Sequence, residues 1–229
     1  MDFKLKHALI IYLYVVISAF GSALSASAET DYQTWSLFIY QGSSANRLRT
    51  YVEIQPRFGN NVSRLDQILL RPAVWYALRP NLSLWLGYAW TPGFNPRFQN
   101  EQRLWQQMIY DKSFGPVTYV NRLRLEQRFI DGIVPVAHRI RNMFRLTMNL
   151  GSNNLWQAAV WDEIFLNINS ASPTIRSGFQ QNRLFLGANH LVIAQTRVEA
   201  GYLFNYIVRP GIAIDRINHA AFFMITTNY

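Results

Sequence analysis

The alternation across residues 118–150 constrains this chain more than any other feature. In 118–130 the even positions carry Arg122, Arg124, Glu126 and Arg128, and the odd positions carry Tyr119, Leu123, Leu125 and Phe129. In 138–150, Arg139, Arg141, Arg145 and Asn149 alternate with Ile140, Phe144, Leu146, Met148 and Leu150. A loop, 131–137, carrying Asp131, Gly132 and Pro135, separates them. A period of two is that of a strand, with one face charged and the other apolar. Strands of soluble sheets usually end after about 5–6 residues. A strand that crosses a bilayer at a tilt needs about 9–11, apolar outward and polar inward. The pair therefore predicts a membrane barrel.

The N-terminus reads as an export leader. Lys4 and Lys6 precede an apolar run over 8–24, and Ala26-Ser27-Ala28 has the small-x-small form of a cleavage site. The expected division is a signal peptide over 1–28 and a barrel domain over 29–229. An uncleaved membrane helix is the alternative, and the small residues between Ser18 and Ala28 favour cleavage. The chain has no Cys, which excludes disulfides and metal–thiolate chemistry.

The formal charge is +9, from 22 Lys and Arg against 13 Asp and Glu. Removing Lys4, Lys6 and Asp2 with the leader leaves a basic surplus of eight, nearly all Arg. Such a surplus can mark a nucleic-acid surface. Here the arginines fall on alternating strand faces and the chain is exported, so no nucleic-acid partner is expected. Arg stays ionised in low-dielectric surroundings and binds carboxylate or phosphate with two donors.

Other segments alternate as well. The strands expected are 31–40, 47–58, 67–78, 82–90, 101–110, 118–130, 138–150, 156–167, 180–190, 194–206 and 220–229, with Pro72 interrupting the third, since it has no N–H for a ladder. Connections after 78, 150 and 190 are short, whereas those after 90, 130, 167 and 206 are longer, as in an up-and-down barrel with short periplasmic turns and long outer loops. Bacterial barrels have an even number of strands. Eleven segments therefore imply that 31–40 does not cross, giving ten, or that one is hidden, giving twelve. The fold class expected is all-β, an up-and-down antiparallel transmembrane β-barrel of 10–12 strands. Chain-terminal alternation ending on Tyr229 is similar to the sorting signal that barrel-assembly machinery reads.

Several short motifs come in a consistent order: Trp35, the Arg-x-Arg-x-Glu-x-Arg run at 122–128, Gln181-Asn182-Arg183-Leu184-Phe185-Leu186-Gly187, Glu199-Ala200-Gly201-Tyr202, and Asn218-His219. In these the chain resembles bacterial outer-membrane barrels grouped as domain of unknown function 2490. The resemblance implies a barrel in the outer membrane of a Gram-negative bacterium and supplies no activity and no catalytic residue.

On this reading the lumen carries Arg49, Arg122, Arg124, Arg128, Arg139, Arg141, Arg145, Arg183 and Arg197, with Arg47, Arg57, Arg71 and Arg103 beside them. Glu53, Glu126, Glu163 and Glu199 are the expected ion-pair partners, with Glu101. Arginines lining a water-filled pore favour anions, so an anion-favouring porin or channel for small acidic solutes is one expectation. A barrel this narrow can instead be filled by side chains. Glu126, facing Arg139 and Arg141, suits a buried network that holds such a barrel shut. A rim enzyme acting on lipids is the third reading. It would need Ser, His and an orienting group together. His138, His190 and His219 are scattered, no Gly-x-Ser-x-Gly elbow is present, and neither a metal nor a cofactor is expected. Aromatic residues near strand ends (Tyr88, Trp90, Tyr110, Trp156, Tyr202, Tyr206, Tyr229) suit interfacial girdles among membrane lipids. Loop arginines Arg97, Arg176, Arg209 and Arg216 suit lipopolysaccharide phosphates.

Overall fold

The computed structural model describes residues 28–45, 47–151, 155–211 and 214–229, with backbone alone described for 43–45. The expected leader lies outside the described residues apart from Ala28. Eleven strands follow in order: β1 (Ala28–Ala45), β2 (Leu48–Gly59), β3 (Arg64–Arg79), β4 (Leu82–Trp90), β5 (Glu101–Phe114), β6 (Val117–Ile130), β7 (Ala137–Leu150), β8 (Trp156–Asn167), β9 (Gly178–Ile193), β10 (Thr196–Ile207) and β11 (Asp215–Asn228). They range from 9 to 18 residues, the lengths that alternation predicts. Each pairs with its sequence neighbour antiparallel, and the sheet closes on itself.

Neither ten nor twelve strands is correct. The segment at 31–40 is itself a strand of the barrel, the described residues form eleven strands, and this odd count closes with β1 and β11 parallel, in register from Ala28↔Asp215 to Gln41↔Asn228. The start of β1 therefore sits at the end of the barrel that holds the loops 91–100, 131–136, 168–177 and 208–214. Tyr229 sits at the other end, among the short turns 80–81, 115–116 and 194–195. β11 also begins earlier than expected, at Asp215, because Arg216 and Asn218 point inward and hide the alternation. Pro72 breaks pairing on one side only. β3 stays paired to β2 through Val52↔Pro72, while the ladder to β4 passes from Leu70↔Trp90 to Ala73↔Gly87, as the missing N–H requires.

The distribution of polarity is the inverse of a soluble sheet's. Along β5 the buried side chains are Glu101, Arg103, Trp105 and Gln107, and the exposed ones include Leu104 and Met108. Val52, Ile54, Leu84, Leu86, Leu123, Leu125, Leu186, Phe223 and Ile225 continue the exposed apolar band around the wall. Exposure of this much apolar surface is stable only in an apolar solvent.

Small residues shape the inside. A Cβ on Gly87 would lie 2.2 Å from Trp105, so the absence of a side chain there lets the indole lie flat on β4. Gly187 and Gly201 face each other across β9 and β10, and a Cβ on Gly187 would meet the Phe185 ring at 2.4 Å. The β2–β3 turn is tighter. Asn60, Asn61 and Val62 all have left-handed φ (52, 56 and 64°), a conformation costly for a β-branched residue. The Asp31 carboxylate holds this turn by accepting from the Asn60 and Asn61 amides at 3.2 and 2.9 Å.

Candidate functional site

The most charged part of the interior lies where β6, β7 and β8 run side by side. Register sets Glu126 opposite Arg139, and Arg124 opposite Arg141. Glu126, 1% exposed, accepts from Arg139 Nε at 2.9 Å and from Arg141 Nη1 at 2.7 Å. Arg141 then turns its other donors to Glu163, at 2.9 and 3.0 Å. Glu163 also receives Arg122 at 2.8 Å. Arg124 and Arg183 stand at 3.8 Å from Glu126 and Glu163 respectively. The result is a continuous row, Arg139–Glu126–Arg141–Glu163–Arg122, made of charge-assisted bonds that arginine's planar fork permits.

Further pairs complete the lining. Arg71 donates to Glu53 at 2.5 Å across β2 and β3, and Tyr51 caps the same carboxylate. Arg103 and Arg128 share Glu101, each at 2.6 Å. Arg145 on β7 reaches Glu199 on β10, an ion pair that spans the bore. Arg197 donates to Asn189 at 2.9 Å, and Arg49 is half-buried on the inner face of β2. Aromatic faces hold several of these cations. Trp35 lies between Arg57, at 3.8 Å, and Arg183, at 4.8 Å, and Phe165 carries Arg141 and Arg183, both at 4.5 Å. Opposite this charged wall, Trp161, Phe185, Leu203 and Phe222 form an apolar cluster inside β8–β11.

Two of the interior cavities are lined by described residues. The larger, about 260 Å³, opens at the long-loop end and is lined by Gln33, Gln181, Asn205 and Asn218 among others. Its wall contains Arg57, Arg71, Arg103, Arg128, Arg139, Arg141 and Arg183, against only Asp66 and Glu101 as acids. The smaller, about 140 Å³, lies toward the short turns beside Met143, Arg145 and Glu199. Trp35, Arg57, Arg71, Arg141 and Arg183 border both, so they form a layer between the two. Arg57 Nε in this layer and Arg128 Nη1 in the wall of the larger cavity are buried without a hydrogen-bond partner among the described residues. Arg57 bonds Gln55 and Gln67, at 2.9 and 3.0 Å, and makes no ion pair with a described carboxylate.

The family model described as "Protein of unknown function (DUF2490)" matches residues 32–216. The chain belongs to this DUF2490 family. An uncharacterized protein of Methylorubrum extorquens is 32% identical over 220 residues, covering 93% of this chain and 96% of that one. The chain is also similar to a solved structure, the outer-membrane expressed OmpT of Vibrio cholerae, at 10% identity and a TM-score of 0.41 over 73% of its length, and it spans 58% of that OmpT chain.

In this DUF2490 barrel most of the arginines expected in the lumen do point inward. Arg47 does not: it lies exposed in the β1–β2 turn, where the strand's period has already ended. Arg128 bonds Glu101, because register sets it beside Arg103. Arg216 belongs to β11 rather than to a loop and donates to Asp31 at 2.7 Å. Sequence reasoning passed over Trp35, Trp105 and Phe165 as cation-holding surfaces. Their signal was an aromatic ring on the charged side of the alternation. His138, His190 and His219 lie apart on the structure. His219 lies beside Tyr32 and Tyr202, His190 against Trp156, and the His138 amide donates to Asn169. Among the described residues no three His, Asp or Glu converge as metal ligands.

Proposed function

We propose that this protein is an outer-membrane barrel whose arginine-lined cup, at the long-loop end, binds small acidic solutes, and that the layer beneath restricts their passage. One observation carries this reading: the cup lining has more guanidinium than carboxylate, and two buried N–H groups of its arginines lack a hydrogen-bond partner among the described residues. A buried donor of that kind calls for water or an anion. A volume of about 260 Å³ is just under the ~300 Å³ lower limit of ordinary ligand pockets. A solute of a few carbons fits such a space and a polymer does not. The exposed apolar band supports the membrane setting. The long loops, on the side away from the C-terminus, support an outward-facing cup.

The test is isothermal titration of the refolded barrel with citrate and with inorganic phosphate at low ionic strength. Arg57→Gln is the matched variant, because it removes a cup cation without stranding a carboxylate. Saturable citrate binding that weakens at least tenfold in Arg57→Gln is expected, alongside little steady conductance in planar bilayers. No binding of either anion would instead support the second reading, a sealed structural barrel, which the apolar cluster at Trp161, Phe185 and Phe222 favours. Steady anion conductance would restore the open-channel reading.

A further inference from the structure

The lining of the cup offers donors far more freely than acceptors. Its amides turn their oxygens to arginines. Gln67 Oε1 accepts from Arg57 at 3.0 Å, Gln180 Oε1 from Arg139 at 2.9 Å, and Asn218 Oδ1 from Arg216 at 3.0 Å. Gln181 and Asn205 set their oxygens 2.8 and 3.4 Å from Arg183 Nε, and Gln33 gives its oxygen to the Trp35 indole at 2.7 Å. A primary amide is planar, with its two N–H donors on the side away from the oxygen's partner. Among the described residues the side-chain N–H groups of Gln67, Gln180 and Asn218 make no hydrogen bond of their own. Arg103 bonds Glu101 through Nε, which leaves both its Nη groups without a hydrogen bond there. Arg57 Nε and Arg128 Nη1 add two orphaned donors.

Acceptors are correspondingly scarce. Strand carbonyls are spent in the ladders. Glu101 receives three bonds, one from Arg103 and two from Arg128. Asp66, the other acid of this lining, accepts from Arg64 at 3.1 Å. Its Oδ2 lies against Gly59, where a Cβ would stand 2.1 Å from it. That oxygen therefore belongs to the rim, beside the β2–β3 turn, and not to the arginine layer. A hydroxyl carried down among the arginines meets donors on every side, and a buried O–H left without an acceptor is costly.

We propose that the cup selects oxyanions that carry no hydroxyl, of the sulfate or unhydroxylated polycarboxylate class, over acids that carry one, acidic sugars included. Every oxygen of such an anion is an acceptor, so each can take a charge-assisted bond from guanidinium or a bond from an amide N–H. A hydroxylated acid brings the same charge together with a donor that this lining cannot pair. Discrimination of that kind comes from the group left unpaired and not from extra attraction to the favoured ligand. The selectivity rests on the cup binding anions at all.

Two pairs of ligands matched in charge make the test. Sulfate and hydrogen phosphate are both dianions in mildly alkaline solution, and the second carries an O–H. Tricarballylate and citrate share three carboxylates, and citrate adds a hydroxyl. Titrated into the refolded barrel at low ionic strength, sulfate and tricarballylate should each bind about tenfold more tightly than their partners. Gln180→Glu exchanges one free amide N–H2 for an oxygen and keeps the contact with Arg139. It should weaken sulfate and narrow the sulfate-to-phosphate ratio by about threefold or more. Heat-modifiable migration reports its folding, and if the variant does not fold, the two ratios in the unaltered chain decide. Equal affinity within each pair, or a ratio that folded Gln180→Glu leaves unchanged, would overturn the selectivity and leave the anion-binding cup standing. Binding of none of the four would overturn the cup itself, and the selectivity with it.

Discussion

Replacing Glu126 with Gln tests directly how dry this interior is. Glu126 is almost wholly buried, and among the described residues it is the only carboxylate that Arg139 bonds; the other side-chain partner of Arg139 is Gln180, at 2.9 Å. Arg141 keeps Glu163 when Glu126 is lost. The change therefore strands one guanidinium in a low-dielectric site, which costs about 3–5 kcal/mol where water is excluded. In a water-filled bore the same pair would be screened and contribute about 0–1 kcal/mol. Urea unfolding followed by tryptophan fluorescence separates the two. With a denaturant dependence of about 2–3 kcal/mol per molar, the dry interior predicts a midpoint lowered by about 1–2.5 M. Neutralising both partners, Glu126→Gln with Arg139→Gln, should recover more than half of that loss, since a neutral pair has nothing stranded. A single variant within about 0.3 M of the parent would refute a dry surrounding for the Glu126–Arg139 pair. So would a double variant no better than the single, which would locate the cost in packing and not in charge.

Two further changes probe the frame around the site. Val62→Gly removes a β-branched residue from a left-handed position and should stabilise the barrel by about 1 kcal/mol, the order of the αL penalty, seen as a higher urea midpoint with an unchanged slope. Gly87→Ala pushes a methyl into the plane of Trp105 and should destabilise by about 1–3 kcal/mol as overpacking, accompanied by a shift in indole emission that Val62→Gly lacks.

The wall was far more legible in the sequence than the site. Alternation placed 156–167 at the bounds the structure gives β8, because every second side chain there meets a different solvent. It failed at the start of β11, where inward Arg216 and Asn218 look like loop chemistry until their partners are known. The even-strand expectation failed for a different reason: closure is a property of the whole sheet, and no local pattern encodes whether its last pair runs parallel. The ion pairs were half readable. Glu126 with Arg139 follows from facing positions on adjacent strands. Arg145 with Glu199 joins strands three places apart in the barrel, and no spacing along the chain announces a contact across a bore.

The parallel closure has a consequence for the order in which this molecule assembles. Ten of its eleven strand pairs join neighbours in sequence and can zip as hairpins. The last joins strands whose bridging residues, Asp31 and Arg216, are 185 positions apart. Against a hairpin of about 15 residues, closing so long a loop costs about 2 kcal/mol more in chain entropy, so the two open edges should meet last. Trp35 arrives on β1 at that step, between Arg57 of β2 and Arg183 of β9, with Phe222 directly opposite on β11. The layer between the two cavities therefore has no independent existence before closure. An unclosed sheet presents an open, charged trough with two sticky edges, and the same event that removes the edges sets the last ring of that layer.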